Sequence, residues 1–426
     1  MSFDEKNDFG AVLENAFINP TGGMLKDVNI IDEAGKETGE KKPRFIIQSN
    51  GYLDVKVYVA AGMVFPSSKE SFEGLHSKEK LKKLIELDSS IYQETEDAMV
   101  SVYQHCHAFN SNALPNFRRI TMETKEYSEF AIRQLTGLDG SSFVDMLDIL
   151  TSDAYGKAGS ENSDEFQGAT QAASQILLDL SKEANVKSEK IKALVKEISS
   201  FSLQVESDQQ SISAVTAKFN GTDGKPGYAA KLSAGLTQLR KDIKTAAEAA
   251  KKAHDEWESD NATAQWSAAY VWIPIWGWIA GTTVAVVFNK SAMKAWEEYQ
   301  KQLTTEANKN TEVKALQDVI EDVDLLASQN NTIGQKMTKA IVALKEIQKL
   351  FEQMAKDLYL AGSMMGAADG LVRQGLWSRK RTLRPRVDDA VKSWQSAADA
   401  CDELMATDDN ISVYGITPDV TPPKVQ

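Results

Sequence analysis

Three stretches of the 426-residue chain gather side chains that could do chemistry. The first is QHCHAF, which sets His105, Cys106 and His107 side by side. Imidazole and thiolate are metal ligands, yet residues one or two apart diverge on a helix, and no Cys or His recurs at ligand spacing. Packing and helix-surface roles account for them better than a metal does. The second is Asp388 and Asp389, adjacent acids with no partner acid or base. HExxH, a glycine-rich phosphate loop and a nucleophile elbow are all missing from the chain. No catalytic, metal or cofactor-binding residue is assigned, and an enzyme is the weakest reading.

The third is basic. RQGLWSRKRTLRPR gathers Arg373, Arg379, Lys380, Arg381, Arg384 and Arg386 in a chain whose net charge is -13. Such a patch neutralises carboxylates of neighbouring helices, or else Arg379, Lys380, Arg381, Arg384 and Arg386 meet lipid headgroups or a second subunit. No aromatic platform accompanies it, and the acidic balance argues against nucleic acid as a partner. His254, among Lys and Glu, offers a charge that mild acid could switch. With two cysteines, Cys106 and Cys401, the chain is no disulfide scaffold, and two separate thiols are expected in preference to one bridge.

A fourth stretch is notable for having no charge. AAYVWIPIWGWIAGTTVAVVF, Ala268 to Phe288, lies inside a longer charge-free segment from Asn261 to Asn289. Trp266, Tyr270, Trp272, Trp276 and Trp278 are the amphipathic aromatics that favour a lipid headgroup boundary. Ile273, Pro274, Ile275 and Ile279 sit among them, and Val284, Val286, Val287 and Phe288 give the second half an aliphatic character. Gly277 and Gly281 stand four apart, which permits a turn or a close helix crossing.

The elements that must carry this run are long helices. Ile191, Leu194, Ile198, Phe201, Val205, Ile212, Val215 and Phe219 recur at three or four residues, or at seven where a polar residue fills the step. That helix closes at NGTDGKPG, Asn220 to Gly227. An alanine-rich helix is expected from about Tyr228 to Asn261. Beyond the run, Val313, Leu316, Ile320, Val323 and Leu326, then Met337, Ile341, Leu344, Phe351, Met354 and Leu358, mark the buried stripe of another. Interruptions fall near Pro115 and at Thr136 to Ser142. Gly362, Gly366, Gly370 and Gly375 mark a kink or a close-packed crossing.

Two such rods should lie antiparallel, so both ends of the run return to one side of any bilayer. A hairpin turning between Pro274 and Gly281 satisfies this, and each arm is then about 15 Å of helix. That is about half of a roughly 30 Å hydrocarbon core, so the tip dips into a leaflet unless another chain completes the crossing. A hairpin buried permanently in the bundle, or in a protein partner of a structural rod, is the alternative.

A hydrophobic hairpin between long rods resembles the α-helical pore-forming toxins of the haemolysin-E type. GYLDVKVYVAAGMVFPSS, Gly51 to Ser68, is similar to the opening of the first long helix in the A components of xenorhabdolysin-type binary cytotoxins. Val55, Lys56, Val57, Tyr58, Val59, Gly62 and Pro66 match there, with Phe65 at the family's leucine. The stretch from Leu376 to Leu404 is similar to that component's last helix, with Trp394 placed well downstream of Pro385. The resemblance implies a soluble rod with a bundled tail and a narrow head. It also implies a target-cell bilayer, a second (B-type) helical component, and an oligomeric ring on the membrane.

The expected fold is all-α, an elongated bundle of coiled-coil-like helices with a hydrophobic head hairpin. It divides into an irregular lead-in at 1–50, tail-bundle helices and the first rods at 51–225, and antiparallel stalk helices at 226–365. The head hairpin falls at 262–289, a C-terminal bundle helix at 366–412, and a flexible tail at 413–426. The start, MSFDEKNDFG, has no basic and apolar leader, so release or secretion without a recognisable signal peptide is expected.

Overall fold

In the computed structural model the described residues are 8–31, 37–49, 55–56, 58–59, 62–63, 65–137, 140–221, 225–232, 283–285, 311–410 and 414–416. The fold is an elongated all-α bundle of long helices. In chain order the elements are α1 (Phe9–Ala16), β1 (Leu25–Ile31), β2 (Glu37–Phe45), α2 (Ile46–Ser49), α3 (Lys69–Leu75), α4 (Lys82–Leu87), α5 (Ile91–Asn112), α6 (Leu114–Thr136) and α7 (Phe143–Leu150). They continue with α8 (Asp164–Asn220), α9 (Tyr228–Leu232), β3 (Thr283–Ala285), α10 (Thr311–Met365), α11 (Gly370–Ser378), α12 (Lys380–Asn410) and β4 (Tyr414–Ile416).

Helix α8 is 57 residues long, about 85 Å at 1.5 Å per residue. Its start is set by Ser163, whose hydroxyl accepts from the Phe166 amide, with Asp164 and Glu165 against the positive end of the helix dipole. Gly221 ends it at φ +82°, a conformation that penalises a side chain, and a Cβ there would strike the Lys225 carbonyl. The eight apolar residues predicted from Ile191 to Phe219 are each 2% exposed or less.

Helix α10 runs antiparallel to α8, and three serines spaced by seven fix the alignment. Ser174, Ser181 and Ser188 of α8 donate to the carbonyls of Gly362, Ala355 and Gln348 at 2.7, 2.7 and 3.4 Å. Seven residues forward on one helix meet seven residues back on the other, the period of a coiled-coil seam. Met337, Leu344, Phe351, Met354 and Leu358 are buried as the periodicity predicts, and Ile341 packs partly buried against the same core. The side chains of Val313, Leu316, Ile320, Val323 and Leu326 lie outside the description.

Four helices close the core around Tyr127 of α6. Its ring meets Phe351 of α10 at 5.3 Å and Trp394 of α12 at 5.1 Å, both edge-on, and its hydroxyl donates to the Leu180 carbonyl of α8 at 3.2 Å. Lys125 of α6 pairs with Asp402 of α12 at 2.7 Å. Pro385 lies within α12 without ending it. Gly362 and Gly375 sit at crossings, against Leu178 of α8 and against the Gly10 backbone of α1, while Gly366 and Gly370 fall between α10 and the start of α11.

The first 50 residues carry α1 and an antiparallel ribbon, with Leu25 of β1 opposite Phe45 of β2. The ribbon is tied to α12 by Lys42 and Glu403 at 2.8 Å. Helix α1 inserts Phe9 and Leu13, both buried, and Phe17 just beyond it meets Phe143 of α7 at 5.3 Å. A second short antiparallel pair sets Val284 of β3 opposite Gly415 of β4.

Candidate functional site

The residues with the strongest claim from the sequence fall largely outside the described part of the chain. Trp266, Tyr270, Trp272, Ile273, Pro274, Ile275, Trp276, Gly277, Trp278, Ile279, Gly281, Val286, Val287 and Phe288 lie outside it, as does His254. Val284 belongs to β3. Among the described residues no helix is long and apolar enough to cross a membrane. The described helices nearest to it in sequence, α8 and α10, lie antiparallel.

The basic turn between α11 and α12 is engaged with acids of the chain's own bundle. Arg379 reaches Asp8 at 2.8 Å and Glu14 at 2.6 Å, pinning α1, and Thr382 also donates to Glu14. The guanidinium holds the Asp8 carboxyl below its usual range. Lys380 pairs with Asp153 at 3.0 Å and lies 3.7 Å from the Trp377 ring centre. Arg384 bridges Asp148 at 2.8 Å and Asp388 at 3.3 Å, and Arg373 meets Glu161 at 2.9 Å. Arg381 and Arg386 are exposed. Three of the five predicted contact residues thus serve as internal ties.

QHCHAF resolves into three separate surroundings. His107 stacks on Tyr103 at 5.7 Å. Cys106 is a buried free thiol, as is Cys401, and burial pushes the Cys106 thiol pKa well up. His105 turns its Nδ1 to Asp208 of α8, 2.9 Å from one oxygen and 3.1 Å from the other. Among the described residues no group of three or more His, Cys, Asp or Glu is placed to hold a metal.

Asp208 is the residue that sequence reasoning missed. It is 1% exposed, and burial raises its pKa despite bonds from His105 and from the Ser101 hydroxyl at 2.7 Å. Its signal was present, because it occupies the polar step between Val205 and Ile212 in the apolar stripe. Ser101, His105 and Asp208 have the composition of a hydrolytic triad but not its order. The serine donates directly to the aspartate, and the same Nδ1 faces both groups, so no imidazole stands between nucleophile and acid. The cluster is a structural tie between α5 and α8.

A second tie lies nearer the end of α8. Lys218 reaches Asp88 at 3.0 Å and Glu94 at 2.6 Å, and the Tyr228 hydroxyl donates to Asp88 at 2.7 Å. Asp88 is correspondingly held well below the ordinary carboxylate range, chiefly by its bonds from Tyr228 and Ser90.

Long antiparallel helices tied in this way define an architecture met in α-helical toxin components. No protein-family model matches the chain, and no curated protein sequence matches it. Among solved structures it is similar to the Bacillus cereus HblL1 toxin component, with 14% identity over 87% of this chain and 96% of that one, at a TM-score of 0.54. It is also similar to soluble SmhA of the tripartite α-pore-forming toxin Smh from Serratia marcescens, at 11% identity, 86% and 97% coverage and a TM-score of 0.49. Soluble AhlB of the tripartite α-pore-forming toxin AHL from Aeromonas hydrophila gives 12% identity, 89% and 95% coverage and a TM-score of 0.46. The likeness to HblL1 shows a shared fold.

Proposed function

We propose that this chain is a component of an α-helical pore-forming cytolysin that meets the target bilayer through the tryptophan-rich segment between α8 and α10. The observation that supports the reading is the antiparallel α8–α10 pair, between which in the sequence lies a segment without charge from Asn261 to Asn289. In this reading the expected helix at 228–261 and the chain after Asn289 continue that alignment, and both ends of the segment reach the same side of a membrane, which suits a hairpin that enters one leaflet. The fold shared with a toxin component supports the same reading. Burying apolar surface at about 25 cal/mol per Å² supplies the driving force without any bond-making step.

In its finer form, the chain is the anchoring A-type component of a xenorhabdolysin-type system. A second, B-type helical chain completes the crossing, and the pair assembles into a ring. Arg381 and Arg386, exposed on α12, are the basic residues offered for headgroup or subunit contacts. Flotation with phosphatidylcholine–phosphatidylserine vesicles tests the membrane contact. Wild type should rise with the lipid, and a variant carrying Trp272→Ser, Trp276→Ser and Ile279→Ser should stay in the protein layer. Equal recovery of the two in either layer overturns the assignment, and absence of both from lipid favours an adaptor rod.

A further inference from the structure

The two long interfaces of α8 differ in kind. Toward α10 the described seam, residues 174–198 against 337–362, is apolar, and the three serine hydroxyls bond to carbonyls that already belong to a helix. Toward α5 buried apolar residues are joined by charged ties: Asp208 to Ser101 and His105, and Lys218 to Asp88 and Glu94. Phe109 of α5, stacked on Phe201 at 4.0 Å, supplies the aromatic contact between them.

Helix α5 does not stand alone. Tyr92 meets Phe72 of α3 edge-on at 5.3 Å and donates to the His76 carbonyl at 2.8 Å. Gly62 lies so close to Cys106 and Val102 that a side chain there would overlap them. Tyr58, which lies 6.3 Å from Phe201, buries a hydroxyl that has no hydrogen-bond partner among the described residues.

At its far end α5 stops at Asn112, and α6 begins at Leu114 with Pro115 in its first turn. A proline nitrogen cannot donate, so the joint lacks one backbone tie that would make the two helices continuous. Helix α6 is held firmly by Tyr127 in the four-helix core.

We infer that α3, α4 and α5 form one hinged arm that lifts from α8 about the Ala113–Pro115 joint, while α8 and α10 remain paired. Opening gives water to the Tyr58 hydroxyl, which has no partner among the described residues, and to the Asp208 carboxylate, 1% exposed when the arm is closed. The described part of the α8–α10 seam, residues 174–198 against 337–362, holds no such group. Local opening in proteins follows such differences between interfaces. The inference goes beyond the membrane reading and does not depend on it.

Native-state hydrogen exchange on the full chain, read by mass spectrometry of peptides, tests it without lipid. Amides of α5 should exchange through an opening at least 100-fold more populated than that of residues 174–198 and 343–362. Asp208→Asn, which keeps acceptors for Ser101 and His105 and removes the buried charge, should slow exchange in α5 severalfold and leave the α8–α10 pair unchanged. Pro115→Ala, which restores the missing donor at the joint, should slow α5 severalfold. Exchange of α5 and the pair at one common rate, or equal slowing of both by Asp208→Asn, overturns the hinge. Flotation reads a different property, so failure there leaves this result standing.

Discussion

Lowering the pH from 7.5 to 5.0 should loosen the α3–α5 layer through one residue, His76. Its side chain is 4% exposed, set 5.0 Å from the Phe72 ring, and burial together with the nearby Lys80 charge lowers its pKa from 6.5 to about 4. Glu73, Lys78 and Tyr92 belong to the same corner. A folded pKa below the unfolded value means that the unfolded chain takes the proton first. The stabilisation is therefore complete above 6.5 and is lost as the pH falls toward 4. At pH 5.0 the linkage amounts to about 2 kcal/mol, from 1.36 kcal/mol per pKa unit. Carboxylates with depressed pKa, such as Asp8, Glu94 and Asp97, stay ionised through this window and contribute little to the change. Urea unfolding followed by circular dichroism at the two pH values, on wild type and His76→Gln, isolates the term. The wild type should lose about 2 kcal/mol more than the variant between pH 7.5 and 5.0. Parallel losses in the two proteins would refute the reasoning.

Two more substitutions test the packing. Asp208→Asn keeps partners for Ser101 and His105 and removes a buried charge whose folded pKa is raised. It should therefore raise the urea midpoint at pH 7.5, with the gain shrinking as the pH falls toward 4; urea midpoints at the two pH values check this. Tyr127→Ala empties the centre of the four-helix core and should cost about 3–5 kcal/mol in the same assay, far more than Tyr127→Phe, which loses only the hydroxyl's bonds to the Leu180 carbonyl and Met354 Sδ.

The stripe from Ile191 to Phe219 was legible because a helix 57 residues long repeats its period many times, and the buried residues fall where that period puts them. Asp208 was legible only as a gap in the stripe. Nothing local tells a solvated acid from a buried one when its partner, His105, lies 103 residues away. The basic turn had the same difficulty. Arg379 finds Glu14 across 365 residues, so its choice between an internal acid and an external partner is made by tertiary packing. The ribbon escaped notice for a different reason. ETGEKKPRF, with Gly39 and Pro43 among charges, has little strand propensity and pairs only because LKDVNII and α12 lie beside it.

The serine steps along α8 act as a vernier scale. Carbonyls recur on one face of α10 once per turn, so re-seating all three hydroxyls at once requires the two rods to slip by about a whole turn, 5.4 Å. A creep of two or three ångströms would strand every hydroxyl between acceptors together. Lengthwise force applied at one end is therefore passed to the other undiminished up to a threshold, and the pair behaves as a push-rod.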